Sequence, residues 1–170
     1  MITIAVLSDT HLSTTHESIS LWINRIEQVD YIIHAGDFVG LEVIPVLERA
    51  AILIAVRGNN DAACFDDLLP LKKKVVIEDY HIGICHGHGS GKNTLERAYT
   101  AFCNEKVDII IYGHSHQPSI CTKNKILMLN PGSPFYKRKE RWFSYIVLKL
   151  STQGISAELR LTEKAELPTR

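Results

Sequence analysis

Ile2–His11 reads ITIAVLSDTH. A run of apolar and β-branched residues ends abruptly at Ser8-Asp9, and an imidazole follows at His11. A run this short and this rich in β-branched residues predicts a buried strand, with its polar residues just beyond the carboxyl end. The pattern returns downstream: Tyr31–Ala35 is closed by Gly36-Asp37, and Ala51–Val56 by Arg57-Gly58-Asn59. Between the runs, Ile19, Trp22, Ile23, Ile26 and Val29 recur at helical spacing and predict a helix over 17–29. A second helix is expected over 41–49, with Pro45 in its first turns, where a missing N–H costs least. Strand, helix, strand, helix, strand at these separations predicts right-handed βαβ units in a largely parallel sheet.

The second half is richer in strands. Val75–Glu78 and Ile82–Cys85 flank a turn and predict a hairpin, as do Ser119–Thr122 with Ile126–Leu129, and Phe143–Leu150 with Ile155–Leu161. A helix is expected over 94–105, presenting Leu95, Ala98, Tyr99, Phe102 and Cys103 on one face, followed by an apolar strand at Val107–Tyr112. The predicted class is α/β, with two mixed sheets packed face to face and helices outside.

The chain has 170 residues, 45% hydrophobic and 22% charged, with a formal net charge of zero. Those figures fit one ordinary globular domain over 1–170 and give no sign of a broad basic surface for non-specific nucleic-acid binding. The first residues lack a basic segment before their apolar run, and no stretch reaches the roughly eighteen apolar residues of a membrane span. A cytoplasmic protein is expected. Cys64, Cys85, Cys103 and Cys121 form no metal or redox spacing and are expected to be buried thiols. Lys72-Lys73-Lys74 and Lys137-Arg138-Lys139 are expected in solvated loops, the second run with a minority reading as a phosphate-attracting rim.

The unusual polar residues fall at strand ends. Asp9 and His11 follow the first strand, Asp37 the second, Asn59 the third, His86 the strand ending at Cys85, and His114 and His116 the strand ending at Tyr112. Sites in α/β sheets lie beyond the carboxyl ends of strands, so residues more than a hundred positions apart are expected to meet. Two carboxylates, four imidazoles and an amide exceed the needs of one tetrahedral ion. Shared between two ions with Asp37 bridging, they supply four ligands to each. Mixed imidazole and carboxylate donors suit manganese foremost, with iron, zinc, nickel or cobalt as alternatives, and argue against calcium. His34, inside a strand, is expected to be a satisfied core histidine, and Asp61 either caps a helix or hydrogen-bonds near the site.

Ile84–Thr94, ICHGHGSGKNT, suggests a phosphate cradle. A Walker A loop, however, needs glycine where His86 stands and serine or threonine where Asn93 stands. The glycines instead allow a tight turn close to the site, with His86 as ligand and His88 supporting the site, facing substrate or serving as an acid.

Asp9-Thr10-His11, Gly36-Asp37, Gly58-Asn59-Asn60-Asp61, His86-Gly87-His88 and Gly113-His114-Ser115-His116, in that order, resemble the motifs of calcineurin-like metallophosphoesterases. Asn130-Pro131-Gly132-Ser133 resembles their small, single-domain phosphodiesterase branch. The resemblance implies a four-layer α/β/β/α sandwich. It also implies one metal on Asp9, His11, Asp37 and His116 and a second on Asp37, Asn59, His86 and His114. The implied activity is phosphodiester hydrolysis through a metal-bridging hydroxide, with Asn59 also donating to the phosphate of a small phosphoester substrate. The alternative is a scaffold that keeps its metals and binds a protein partner without significant hydrolysis. The branch permits a homo-oligomer. Where the wider superfamily commonly has a proton-donating histidine after the Gly-Asn asparagine, this chain has Asn60.

Overall fold

In the computed structural model, residues 1–12, 16–24 and 26–163 are described, residues 16 and 17 by their backbone alone. The elements in chain order are β1 (Ile2–Leu7), α1 (His16–Ile23), β2 (Tyr31–His34), α2 (Val43–Ala50), β3 (Ile52–Ala55), a 3-10 turn at Ala63–Phe65, β4 (Lys72–Ile77), β5 (Tyr80–Cys85), α3 (Thr94–Phe102), β6 (Ile109–Ile111), β7 (Ser119–Lys123), β8 (Ile126–Asn130), β9 (Phe143–Ser151) and β10 (Gly154–Thr162). They build two five-stranded sheets, ordered β10-β9-β1-β2-β3 and β4-β5-β6-β8-β7. In the first, β1, β2 and β3 are parallel and the β9–β10 hairpin is antiparallel. In the second, β5, β6 and β8 are parallel, with β4 and β7 antiparallel at the edges. Both sheets are therefore mixed, as expected.

Side-chain alternation separates the layers. Ile4 and Val6 of β1 join Ile33, Ile54, Ile82, Ile84, Ile109 and Ile111 between the sheets. Ala5 and Leu7 point the other way, onto Ile19 and Trp22 of α1 and Val43, Val46 and Leu47 of α2. Cys85, Ile110 and Met128 face Ala98 and Phe102 of α3. The result is an α/β/β/α sandwich. Each fully buried aliphatic side chain stabilises it by about 1.5–3 kcal/mol, which explains why inner strands such as β1 and β6 have apolar residues on both faces.

Several expectations need correction. The first helix ends at Ile23 instead of running to Val29. The chain turns there to bring Asp30 beside β1, where its carboxylate accepts from Thr3 N–H at 2.7 Å and its own N–H donates to Thr3 O at 2.8 Å. Ile26 and Val29 still pack on the same apolar cluster. The last helix stops at Phe102, leaving Cys103 exposed. Only Cys85 is a buried thiol; Cys64 is exposed as well and Cys121 is intermediate. Lys72–Lys74 lie in edge strand β4, not a loop. Lys72 and Lys74 pair there with Glu105, and charged side chains protect such an edge from further pairing. Among the described residues, no helix is long and apolar enough to cross a membrane.

Candidate metal centre

The loops leaving β1 and β2 run side by side beyond the sheet. Asp9 N–H donates to Gly36 O at 2.9 Å, His11 N–H to Asp37 O at 3.1 Å and Leu12 N–H to Phe38 O at 3.0 Å. Asp9, His11 and Asp37 have φ of 56°, 47° and 62°, and His114 and His116, beyond β6, have 68° and 59°. Left-handed backbone is uncommon outside glycine, and its concentration at these five polar residues marks a strained, functional edge.

Two groups of donor atoms form there, Asp9, His11 and His116, and Asp9, Asp37 and His86, the atoms of each lying within 4.8 Å of one another. His116 Nε2 is 3.2 Å from Asp9 Oδ1 and 3.3 Å from His11 Nε2. His86 Nε2 is 3.2 Å from Asp37 Oδ2, and His11 Nε2 is 3.6 Å from that oxygen. Ring tautomers follow from the opposite nitrogens. His86 Nδ1–H donates to Ala35 O at 2.7 Å, and His116 Nδ1–H donates to Tyr136 O. Each Nε2 lone pair therefore faces carboxylate oxygens, an arrangement of acceptors against acceptors.

A cation resolves that repulsion. Asp9 Oδ1 and His86 Nε2 are buried without a hydrogen-bond partner, and both carboxylates are fully buried. Orphaned buried acceptors, and imidazoles whose far nitrogens are held by backbone carbonyls, are what a metal-ligating set requires, so these residues fit a bound cation. The titration behaviour points the same way. Burial alone raises the Asp9 carboxyl, but His11 and His116 bonds and the charges of His86 and His116 outweigh it and hold it far below the usual carboxylate range. Burial raises Asp37 too, and His86 and Asn60 overcome it in the same direction. Burial lowers the His86 imidazole, but Asp37 and Asp9 raise it above its ordinary value. Without a metal, His86 itself tends to supply the missing positive charge.

The remaining expected residues surround this cluster. His114 N–H donates to Asp9 Oδ2 at 2.9 Å, its ring stands 5.2 Å from that of His86, and its Nδ1 is buried without a partner. Burial and the His86 charge lower its imidazole to about 4. His88 lies 5.6 Å from His86 and 6.4 Å from His114, ring to ring. Asn59 is exposed. Its neighbour Asn60 reaches Asp37 instead, through its backbone N–H to Oδ1 at 2.8 Å and its amide Nδ2 to Oδ2 at 2.6 Å. His34 is the satisfied core histidine expected. Its Nδ1 accepts from Gly36 N–H at 3.1 Å, its Nε2 meets Thr10 Oγ1 at 3.2 Å, and its ring stacks on Phe38.

Close packing shapes these loops. A Cβ on Gly58 would lie 2.1 Å from Asp37 Oδ1, and one on Gly113 would lie 1.8 Å from Ser8 Oγ. Only glycine admits such an approach. The glycine-rich turn after β5 closes around Arg97. Arg97 Nε donates to Gly87 O at 2.8 Å, Nη2 to Thr94 Oγ1 at 3.0 Å, and Nη1 to Lys92 O.

Asp61 is the most consequential residue left open by sequence reasoning. The 3-10 turn after it begins at Ala63 with Ala62 in the N-cap position and no side-chain cap, so Asp61 is not a cap. Its Oδ1 accepts from Phe38 N–H at 2.7 Å and Val39 N–H at 2.9 Å, and its Oδ2 from Asp37 N–H at 3.0 Å and Gly58 N–H at 2.7 Å. One carboxylate thus ties the loops after β2 and β3 together, including Val39 at a φ of 76°. Asn130 and Ser133 do comparable work, the first within its own sheet and the second between the sheets. Asn130 Nδ2 donates to Gly113 O at 3.2 Å and Ser115 Oγ at 2.9 Å, and Ser133 O–H donates to Asp9 O at 2.6 Å. The carbonyls of Ala35 and Tyr136, which orient two imidazoles, had no signal in the sequence, because any residue type offers one.

The family model of the calcineurin-like phosphoesterase superfamily domain matches residues 2–153. A Bacillus subtilis protein, a probable metallophosphoesterase, is 33% identical over 168 residues, covering 95% of this chain and 91% of its own. A phosphodiesterase of Methanocaldococcus jannaschii is 32% identical over 145 residues, covering 76% of this chain and 82% of its own. Among solved structures, an archaeal phosphodiesterase superposes with a TM-score of 0.71 at 26% identity, covering 94% of this chain and all of its own.

Proposed function

The chain belongs to the calcineurin-like phosphoesterase superfamily, a metal-dependent family of phosphoester hydrolases, and on that premise we propose that it hydrolyses phosphodiesters at a pair of divalent cations. The observation that carries this reading is the convergence of Asp9, Asp37, His11, His86 and His116, with buried acceptors facing one another. Asp9, His11, Asp37 and His116 would hold one ion, and Asp37, Asn59, His86 and His114 the other; manganese would suit this donor set. When bound, the ions supply Lewis-acid activation of water and neutralise charge on the phosphate.

The chain's own groups do the rest. Ala35 O and Tyr136 O hold a proton on Nδ1 of His86 and His116, which leaves Nε2 of each ring aimed inward as the ligand atom. Asn60 holds both oxygens of Asp37, which fixes the carboxylate proposed as the ligand common to both ions. Asn59, neutral and exposed, adds a ligand without adding charge to a site that receives an anion, and its amide N–H₂ can donate to the phosphate. His88, partly exposed beside His86 and His114, is the residue proposed to face substrate. The single domain comprises residues 1–170. The phosphodiesterases among the chain's relatives support diesters over monoesters. So does Asn60, an amide, at the position where an acid would assist a poor leaving group.

The test joins elemental analysis to turnover of bis(4-nitrophenyl) phosphate by wild type and Asp37→Ala. The wild type should carry close to two metal equivalents and turn over the diester. Asp37→Ala should lose metal and at least about a hundredfold in kcat/KM, since a ligand to both ions is removed. Full turnover by chelated wild type, or by Asp37→Ala, would overturn the proposal.

A further inference from the structure

Tyr136 is 55% exposed, yet it is fixed to the metal centre. Its carbonyl accepts from His116 Nδ1, and its N–H donates at 2.8 Å to Ser133 Oγ, whose own O–H reaches Asp9 O. Its ring stands 5.3 Å from that of His11 and 5.7 Å from that of His116, tilted by 59° and 71°. An aromatic ring therefore borders the imidazoles on one side and solvent on the other. Beyond it opens a cleft of about 570 Å³ lined by Ser115, Gln117, Tyr136, Arg138 and Glu140 among others. Arg138 bridges the rim, donating from Nη1 to His114 O at 3.2 Å from a left-handed backbone with φ 53°.

The cleft is basic: Lys137, Arg138 and Lys139 line it against one acid, Glu140. Lys137 directs its Nζ to Arg141 O at 2.7 Å and over the Phe143 ring at 4.8 Å. A basic lining beside one exposed aromatic ring suits an anionic phosphoester with a flat substituent.

We propose that this cleft is a subsite for a planar aromatic group esterified to the phosphate, stacked on Tyr136 with Arg138 beside it. The inference rests on the phosphodiester reading above and names its substrate class. Stacking on an aromatic side chain is strong enough to give about tenfold in affinity.

The test is calorimetric binding of phenylphosphonate and methylphosphonate to the Mn²⁺-loaded protein. Phenylphosphonate should bind about tenfold tighter to wild type and to Tyr136→Phe, and the ratio should collapse to within about twofold in Tyr136→Leu. A ratio near one in wild type, or a full ratio in Tyr136→Leu, overturns the subsite. A second pair, adenosine 5′-monophosphate against ribose 5-phosphate, separates the sources. A Tyr136-dependent preference there makes the occupant a nucleoside base; a phenyl preference without it makes the occupant a simple aryl group. Tyr136-dependent phenyl binding without turnover of bis(4-nitrophenyl) phosphate keeps the subsite and removes the hydrolytic reading. Turnover without any phenyl preference does the reverse.

Discussion

Asp61→Asn tests whether a single carboxylate holds the strained edge together. The substitution is nearly isosteric, but it replaces one acceptor oxygen by an N–H₂ group. Each Asp61 oxygen serves two backbone donors, Phe38 and Val39 on one, Asp37 and Gly58 on the other. Whichever way the amide turns, two N–H groups lose their acceptor and face a donor. An unsatisfied buried donor costs about 1–3 kcal/mol. Asp61 is only partly buried, so water relieves some of this, and the lower half of the range gives about 3 kcal/mol for the pair. In a chain of this size that corresponds to a Tm lower by about 6–12 °C. Thermal unfolding should be measured in chelator, so that metal loss contributes nothing. Asp66→Asn is the control: its carboxylate is 51% exposed and pairs with Arg57 at 2.8 Å, a contact worth at most about 1 kcal/mol. If Asp61→Asn melts within about 2 °C of wild type, or no lower than the control, the loops are held by something else.

Gly58→Ala should displace Asp37, since its Cβ would sit 2.6 Å from Asp37 N as well as against Oδ1; metal content by elemental analysis should fall, with turnover down by about a hundredfold or more. His34 gives a pH dependence. Burial lowers its imidazole to about 3, so the unfolded chain takes up a proton near pH 6.5 that the folded ring refuses until about pH 3. Its contribution is complete above pH 6.5 and is lost as pH falls toward 3, at up to about 1.4 kcal/mol per unit. Urea denaturation of chelated protein should show a shallower slope across that window for His34→Gln; equal slopes would contradict the assignment. Asn60→His should raise rates for alkoxide leaving groups more than for nitrophenolate, tested with a leaving-group series at matched metal content. A flat dependence in wild type would show that another residue already supplies the proton.

The local patterns made the outline of the fold readable. Ile2–Leu7, Tyr31–His34 and Ile109–Ile111 are short, apolar and β-branched, and a segment with no polar face must be buried on both sides. The convergence of Asp9, Asp37 and His86 was legible because polar side chains at successive strand ends meet at one edge of the sheets. Element ends were not legible: α1 stops at Ile23 because Asp30 must meet Thr3, a contact between segments that no local window contains. The Lys72–Lys74 run became strand because β5 lies beside it and Glu105 receives Lys72 and Lys74.

Residue type and order alone determined which side chains were candidates for the centre and that the strands would form two sheets packed face to face; that the last hairpin joins the first sheet was decided by tertiary structure. Tertiary structure also decided how those side chains are held. Asp61 binds four backbone N–H groups, Asn60 rather than Asn59 grips Asp37, and the carbonyls of Ala35 and Tyr136 set the tautomers of His86 and His116. The physical reason is that backbone donors and acceptors are the same in every residue. A sequence records which side chains carry chemistry, but the main-chain groups that aim them become distinguishable only when the fold brings particular ones within about 3 Å.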